Sequence, residues 1–253
     1  MRTSWHWQAA CIVALCCAGC TTHEARWGGG AASSSGSGAS VKELWRAHGN
    51  PGAWRKHSAV SFAYSVESLK DAEQARFAEV AFRLDDYRHL WVRKEGEDAL
   101  TRLDLSKPLE WQGSRAIGCA LHTLRYLFSV PVASAWGRWE FRSLLAPSDV
   151  ITPDIFEAAP LDSSAAVGAC RLERNPETGL MSHLTYVPRH PFAAGELRRV
   201  TFDSYVLVGE AHIALIRKSS LFVEELAHVR FLDSAETDQR LELEAPEPAA
   251  PRK

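Results

Sequence analysis

His122, His183 and the adjacent carboxylates Asp85-Asp86 and Glu224-Glu225 are the residues from which acid–base or nucleophilic chemistry would have to be built. Catalysis needs a nucleophile, a base and an orienting group that converge from separate elements. Here they are scattered. Asp85-Asp86 has the composition of a tight turn. Glu224 and Glu225 fall side by side in a strand-like stretch, so they face opposite ways and one of them points inward. His183 and His190 share no fixed face, and no Cys/His cluster has zinc spacing, so metal binding is not expected. Gly36-Ser37-Gly38-Ala39-Ser40 lies in a Gly/Ser linker and not at a strand-to-helix turn, so it is no nucleophile elbow. A hydrolase built on His122 or His183 is the weakest of three functional readings, and no catalytic residue and no cofactor is expected.

Cys20 carries a different chemistry. Arg2 opens a basic start, an apolar run follows from Ala9 to Ala18, and Ala18-Gly19-Cys20 precedes a Gly/Ser tract from Gly28 to Ser40. The run is shorter than the ~20 residues that span a bilayer and suits the central region of an export signal. Small residues before Cys20 resemble the lipidation site of bacterial lipoproteins. Thr21 in the following place favours the outer membrane, again by resemblance. Residues 1–19 are therefore expected to be a signal peptide, and residues 20–40 a lipidated cysteine and tether reaching about 25 Å. An ordinary secretory signal, with Cys20 a spare thiol, is the alternative. Either way the compartment is the cell envelope, where disulfides are permitted. Cys119 and Cys170 are then the one pair left in the body; a bridge between them and two buried free thiols are both open readings.

The elements that would position these residues alternate strongly. Val60, Phe62, Tyr64 and Val66 share one face of a strand over Lys56–Glu67, and Ala78, Val80, Phe82 and Leu84 share one face of the next. Further strands are expected at Tyr87–Lys94, Ala99–Leu105, Trp139–Leu145, Ala165–Glu173, Leu180–Val187, Leu197–Val208, Ala211–Lys218 and Leu221–Leu232. Val41–His48 has helical spacing and is ended by Gly49-Asn50-Pro51-Gly52. Ile117, Ala120, Leu121, Leu124, Leu127 and Phe128 recur at three- and four-residue spacing, which predicts an amphipathic helix over Ser114–Val130 stopped by Pro131. Ala146–Ser164, with three prolines, reads as a loop, and residues 233–253 as a disordered acidic tail. About ten antiparallel strands make a sheet too wide to stay flat, and its apolar face needs a cover, for which the inserted helix is available. The net charge of −2 leaves no basic footprint for nucleic acid.

Three stretches carry a resemblance. They are LWRAHGNPGAWRKHSAVSF, in which a helix ends in His-Gly and a Trp precedes the first strand; the helix ending LFSVPVA; and CRLERNPETGLMSHLTYV, in which Asn-Pro-Glu-Thr-Gly joins two strands. In this order they resemble the LolA/LolB superfamily of periplasmic lipoprotein-sorting proteins over most of residues 41–232. The resemblance implies a mainly β fold, a curved antiparallel half-barrel of about eleven strands with one N-terminal helix and the inserted helix as lid. It also implies a protein that binds a lipid or lipoprotein acyl chain, and the lipid-anchored chain is expected to be a monomer. The expected cavity lining is Phe62, Tyr64, Val80, Phe82, Phe202 and Val206 under Leu121, Leu124 and Phe128. Trp136 and Trp139 could form a membrane- or ligand-facing edge. The competing reading is an interaction lipoprotein with a filled core that docks on envelope partners.

Overall fold

The computed structural model describes residues 37–106, 109, 111–133, 139–143, 154–161, 167–188 and 197–242. Cys20, the signal, most of the tether, Trp136 and the last eleven residues lie outside them. Eleven strands form one antiparallel sheet: β1 (Ala59–Ser68), β2 (Gln74–Arg83), β3 (His89–Lys94), β4 (Thr101–Asp104), β5 (Trp139–Ser143), β6 (Asp154–Pro160), β7 (Val167–Arg174), β8 (Met181–Pro188), β9 (Arg198–Val208), β10 (Ala211–Lys218) and β11 (Phe222–Leu232). Helices α1 (Ser37–Ala47) and α2 (Asn50–Arg55) precede the sheet, α3 (Arg115–Ala133) interrupts it, and α4 (Ser234–Thr237) follows it.

The strand order is β4-β3-β2-β1-β11-β10-β9-β8-β7-β6-β5. The sheet is therefore two meanders joined where β1 pairs with β11, from Ala59 opposite Leu232 to Ser68 opposite Phe222. It does not close. β4 and β5 are its free edges, and the segment that connects them contains α3. This is the half-barrel with a helical cover that the sequence led one to expect.

Several elements depart from expectation. β6 lies inside the stretch read as a loop. Its prolines flank the strand and do not interrupt it: Pro160 is its last residue, opposite Trp139, where a missing N–H does little harm. The Gly49-Asn50-Pro51-Gly52 break does not end the helical segment but turns it into α2, for which Pro51 is a favourable first-turn residue. α3 runs through Pro131 to Ala133, forfeiting the hydrogen bond to the Leu127 carbonyl. It is also not amphipathic in place. Every residue from Ile117 to Val132 is buried, including His122, Thr123, Arg125 and Ser129. The helix is a plug inside the fold, which is where a helix with no exposed side belongs.

The segment expected to be a disordered tail from Asp233 continues the fold through Glu242. Asp233 caps α4 by accepting from the Glu236 N–H at 2.8 Å. A π turn over Asp238–Glu242 follows, and it buries Leu241 with Ala59, Ala81, Trp91, Leu100 and Leu232. Arg240 reaches Glu79 at 2.6 Å from the same turn. Glu79 is buried and also accepts from Ser61 at 2.6 Å and from Arg93 at 3.3 Å. Burial alone would raise its pKa, but Arg240, Ser61 and Arg93 outweigh that and hold the carboxyl below its ordinary value.

Candidate binding site

The site is the layer between the concave face of the sheet and α3. β1 supplies Phe62 and Tyr64, β2 supplies Phe77, Val80 and Phe82, and the helix supplies Leu121, Leu124 and Phe128, all in one buried cluster. The Phe128 ring is the hub. It stacks on Phe62 (centroids 5.5 Å apart, planes 8°), meets Phe82 edge-on at 5.3 Å and Trp54 at 5.8 Å. Phe77 was not expected here. A register shift in the β1–β2 ladder between Phe62 opposite Val80 and Tyr64 opposite Phe77 changes the strand's phase, which turns Phe77 inward.

Eight of the nine residues expected to line a cavity are buried in the interior: Phe62, Tyr64, Val80, Phe82, Leu121, Leu124, Phe128 and Phe202. Val206 is 37% exposed. Alternation along β9 fails at Ser204, whose φ of 55° is left-handed, and Tyr205 takes the inward place instead. The Tyr205 hydroxyl donates to the Met181 carbonyl at 2.7 Å. Trp139 is also no exposed edge; it is buried in a second cluster with Tyr126, Leu127 and Phe156. Cys119 and Cys170 are both buried and both free thiols.

Polar groups hold the helix to its surroundings. Arg125 has no exposed surface and donates to the carbonyls of Asp86 (3.1 Å), Arg83 (3.0 Å) and Leu84 (2.9 Å) and to Ser129 Oγ (3.2 Å). Its guanidinium also lies 4.4 Å from the Phe82 ring centre and 4.0 Å from that of Tyr87. His122 Nε2 meets the Leu105 carbonyl at 2.5 Å. At the start of the helix, Ser114 Oγ accepts from the Ile117 N–H at 3.1 Å and donates to Glu73. His183 is remote from all of this. It sits on β8 beside Glu173, at 3.4 Å, and Ser182. Among the described residues, His122 and His183 stand on separate elements, and at His183 both Ser182 and Glu173 approach the same ring nitrogen, Nδ1, so neither histidine links a nucleophile to an orienting carboxylate. Among the described residues, no group of three or more His, Cys, Asp or Glu side chains could hold a metal ion.

A charged cluster lies deeper. Glu224 is the inward member of its pair and is buried. Tyr64 donates its hydroxyl to Glu224 Oε1 at 2.5 Å. Arg217 stands directly across the ladder from Glu224 on β10 and is 2% exposed. Its guanidinium lies 6.0 Å from the Phe128 ring centre, and Nη1 has no hydrogen-bond partner. Arg198, buried on β9, reaches Cys119 Sγ at 3.2 Å and bonds Tyr186, while its Nε is likewise unpartnered. Burial pushes the Glu224 carboxyl above its ordinary value, opposed by Arg217, the Tyr64 hydroxyl and Arg198. Burial also pushes the Tyr186 phenol up to about 12. Sequence reasoning did not single out Arg198; the signal that could have found it is its alternation in phase with Val200 and Phe202.

Among the described residues, the space directly under the helix is small. A cavity of about 20 Å³, lined by Phe128, Met181, Phe202, Tyr205, Arg217 and others, lies under the helix. That is room for about one water. A more open groove of about 380 Å³ lies at the N-terminal end of α3, between Gln74, Ala75, Lys94, Trp111 and Ile117. Lys94 Nζ sits 5.0 Å from the Trp111 ring centre there.

Fold and site define an open antiparallel half-barrel, plugged by the helix that connects its two edges, with charge buried at the centre of an aromatic interior. It is the architecture implied by the LolA/LolB resemblance. Among solved structures, the chain is similar to a LolA superfamily protein from Nitrosomonas europaea, with 13% identity, a TM-score of 0.46, and 78% of this chain and 93% of that one covered. It is also similar to an outer membrane lipoprotein-sorting protein domain from Vibrio parahaemolyticus, with 10% identity, a TM-score of 0.48 and coverage of 80% and 96%. A third similar structure is a DUF1329 family protein from Desulfovibrio piger, with 9% identity, a TM-score of 0.47 and coverage of 79% and 95%. No protein-family model and no curated protein matches the chain.

Proposed function

We propose that this protein is an envelope lipoprotein, anchored to the outer membrane through Cys20 on its Gly/Ser tether. Its half-barrel takes up an acyl chain or similar apolar group, in lipid or lipoprotein trafficking and without covalent chemistry. The observation that carries the reading is the composition of the interior. Beside the aromatic layer under the helix lie two buried polar atoms without a hydrogen-bond partner, Arg217 Nη1 near Phe128 and Arg198 Nε near Phe222. Leaving such groups unbonded costs about 1–3 kcal/mol each, so a core selected only for stability has little use for them. The 20 Å³ cavity is far below the ~300 Å³ of ordinary ligand sites. Uptake therefore requires α3 to move, and burial of the chain, at ~0.8 kcal/mol per CH₂, would drive it.

The small cavity also favours a second reading, a filled-core module that docks on envelope partners. Titration of the folded, delipidated protein with a fluorescent fatty-acid probe separates the two. Saturable binding with enhanced emission is expected; no binding up to tens of micromolar probe would leave the docking module. Mass spectrometry of protein extracted from membranes tests the anchor and the cargo together. It should find acyl groups on Cys20 and a co-purifying lipid.

A further inference from the structure

We infer that the ligand of this interior carries an anionic head, a carboxylate or a phosphate on its acyl chain, and that Arg217 and Arg198 receive it. The inference rests on the acyl-binding reading above and adds the polar half of the ligand.

The first support is an imbalance of charge. The cluster holds two guanidiniums, both buried, against one carboxylate, Glu224. No ion pair within 4 Å joins Glu224 to either arginine, although Arg217 is its cross-strand neighbour; its close partner is the Tyr64 hydroxyl. Burial favours the protonated form of Glu224, which deepens the positive excess. Elsewhere in this fold a buried arginine is fully used: Arg125 spends its N–H groups on three carbonyls and a hydroxyl. Arg217 and Arg198 each keep an unpartnered nitrogen.

The second support is position. Arg217 lines the small cavity directly against Phe128 and Phe202, so a head group bound to it would place its chain along the aromatic layer when α3 moves. Arg198 stands beside Cys119 near the start of the helix and over the Phe222 ring at 5.8 Å. A planar or tetrahedral oxyanion satisfies such donors by charge-assisted bonds, and its charge offsets the excess. A neutral ester or amide carbonyl can accept from one such donor but brings no charge to offset the excess.

The test compares 11-(dansylamino)undecanoic acid with its methyl ester at pH 8, by fluorescence titration of the full chain without bound lipid. The acid is expected to bind at least tenfold more tightly. Arg217→Met should bring the two probes within threefold of each other without weakening the ester, and Arg217→Lys should keep part of the preference. Far-UV circular dichroism and melting check that the variants fold; Arg217→Met should melt close to the parent, because the loss of its attraction to Glu224 is offset by removal of a buried guanidinium whose Nη1 has no hydrogen-bond partner. Displacement of the acid by laurate or by lauroyl lysophosphatidic acid shows which head is preferred, and preference for either supports the site. Equal affinity for acid and ester in the parent overturns the inference and leaves acyl binding intact. A preference that survives both Arg217→Met and Arg198→Met overturns it too. If folded protein binds neither probe, acyl binding itself fails and the inference with it.

Discussion

His48 should make this protein lose stability in mild acid, and by a predictable amount. The ring is 2% exposed at the junction of α1, β8 and β10. Its Nε2 accepts from the Met181 N–H at 3.0 Å, so the proton of the neutral ring sits on Nδ1, facing the His212 carbonyl at 3.4 Å. His212 returns a bond to the Ala47 carbonyl at 2.8 Å, and the Trp54 indole donates to the His48 carbonyl at 2.9 Å. A second proton would have to displace Met181. Burial chiefly, with some repulsion from His212 and against a small contribution from its carbonyl, lowers the ring from 6.5 to about 4. Tyr205 and Arg217 share the neighbourhood, and Arg217 adds no negative charge that could help.

Below pH 6.5 the unfolded chain takes up a proton that the folded chain refuses until about pH 4. Stability is therefore full above pH 6.5 and falls through that window by about 3 kcal/mol, roughly 2 of it by pH 5. Against a total of about 5–15 kcal/mol this is a large loss. The assay is urea unfolding of the parent and His48→Gln at pH 7.5 and pH 5.0. Glutamine keeps an acceptor for Met181 but cannot titrate, so His122, whose pKa is also lowered by burial, contributes equally to both proteins. The parent's midpoint should fall by about 1 M more than the variant's. Equal losses in the two proteins would refute the reasoning.

Other consequences are sharper in place than in size. Gly49→Ala should destabilise by more than about 2 kcal/mol, because φ is 98° and an added Cβ would stand 2.1 Å from the Glu210 carbonyl oxygen; thermal melting reads this directly. Arg125→Met should cost about 2–3 kcal/mol in denaturant, since it strands the buried Leu84 carbonyl and leaves the half-buried carbonyls of Arg83 and Asp86 without their donor. Arg240→Ala removes the closer of the two arginines that pair with Glu79 and should cost about 1–2 kcal/mol at pH 7. Because the Glu79 carboxyl is held below its ordinary value, the difference between that variant and the parent should shrink as pH falls through the acid range.

Much of the sheet was readable because alternation is a local signal. β1 and β2 announce their inner faces through Val60, Phe62, Tyr64, Val80 and Phe82, and all five are buried. The readings fail where the chain changes phase. The register shift beside Phe77 and the left-handed Ser204 each move the inward position by one residue, so Phe77 and Tyr205 were missed and Val206 was wrongly included. β6 is hard to read from composition because proline content does not say where in a strand a proline falls, and Pro160 closes this one. The burial of α3 on every side could not be read from its periodicity, since Arg125 and His122 look like a solvent face until their carbonyl partners from Arg83, Leu84, Asp86 and Leu105 are in view. Glu224 was half legible: one of two neighbouring glutamates had to point inward, but what it would meet there depended on Tyr64 and Arg217, far away in sequence.

The pairing of β1 with β11 has a consequence for how the molecule comes into being. Ala59 and Leu232 are neighbours in the middle of the sheet, yet nearly the whole domain separates them along the chain. The two meanders can each form from local hairpins as the polypeptide emerges, but each presents an unpaired inner edge until the last strand arrives. Closing so long a loop is slow, and unpaired edges invite association with other chains. A chain cut short before Phe222 would keep those edges permanently. Such a topology makes assembly a late event that follows completion of the chain, which is compatible with crossing a membrane before folding.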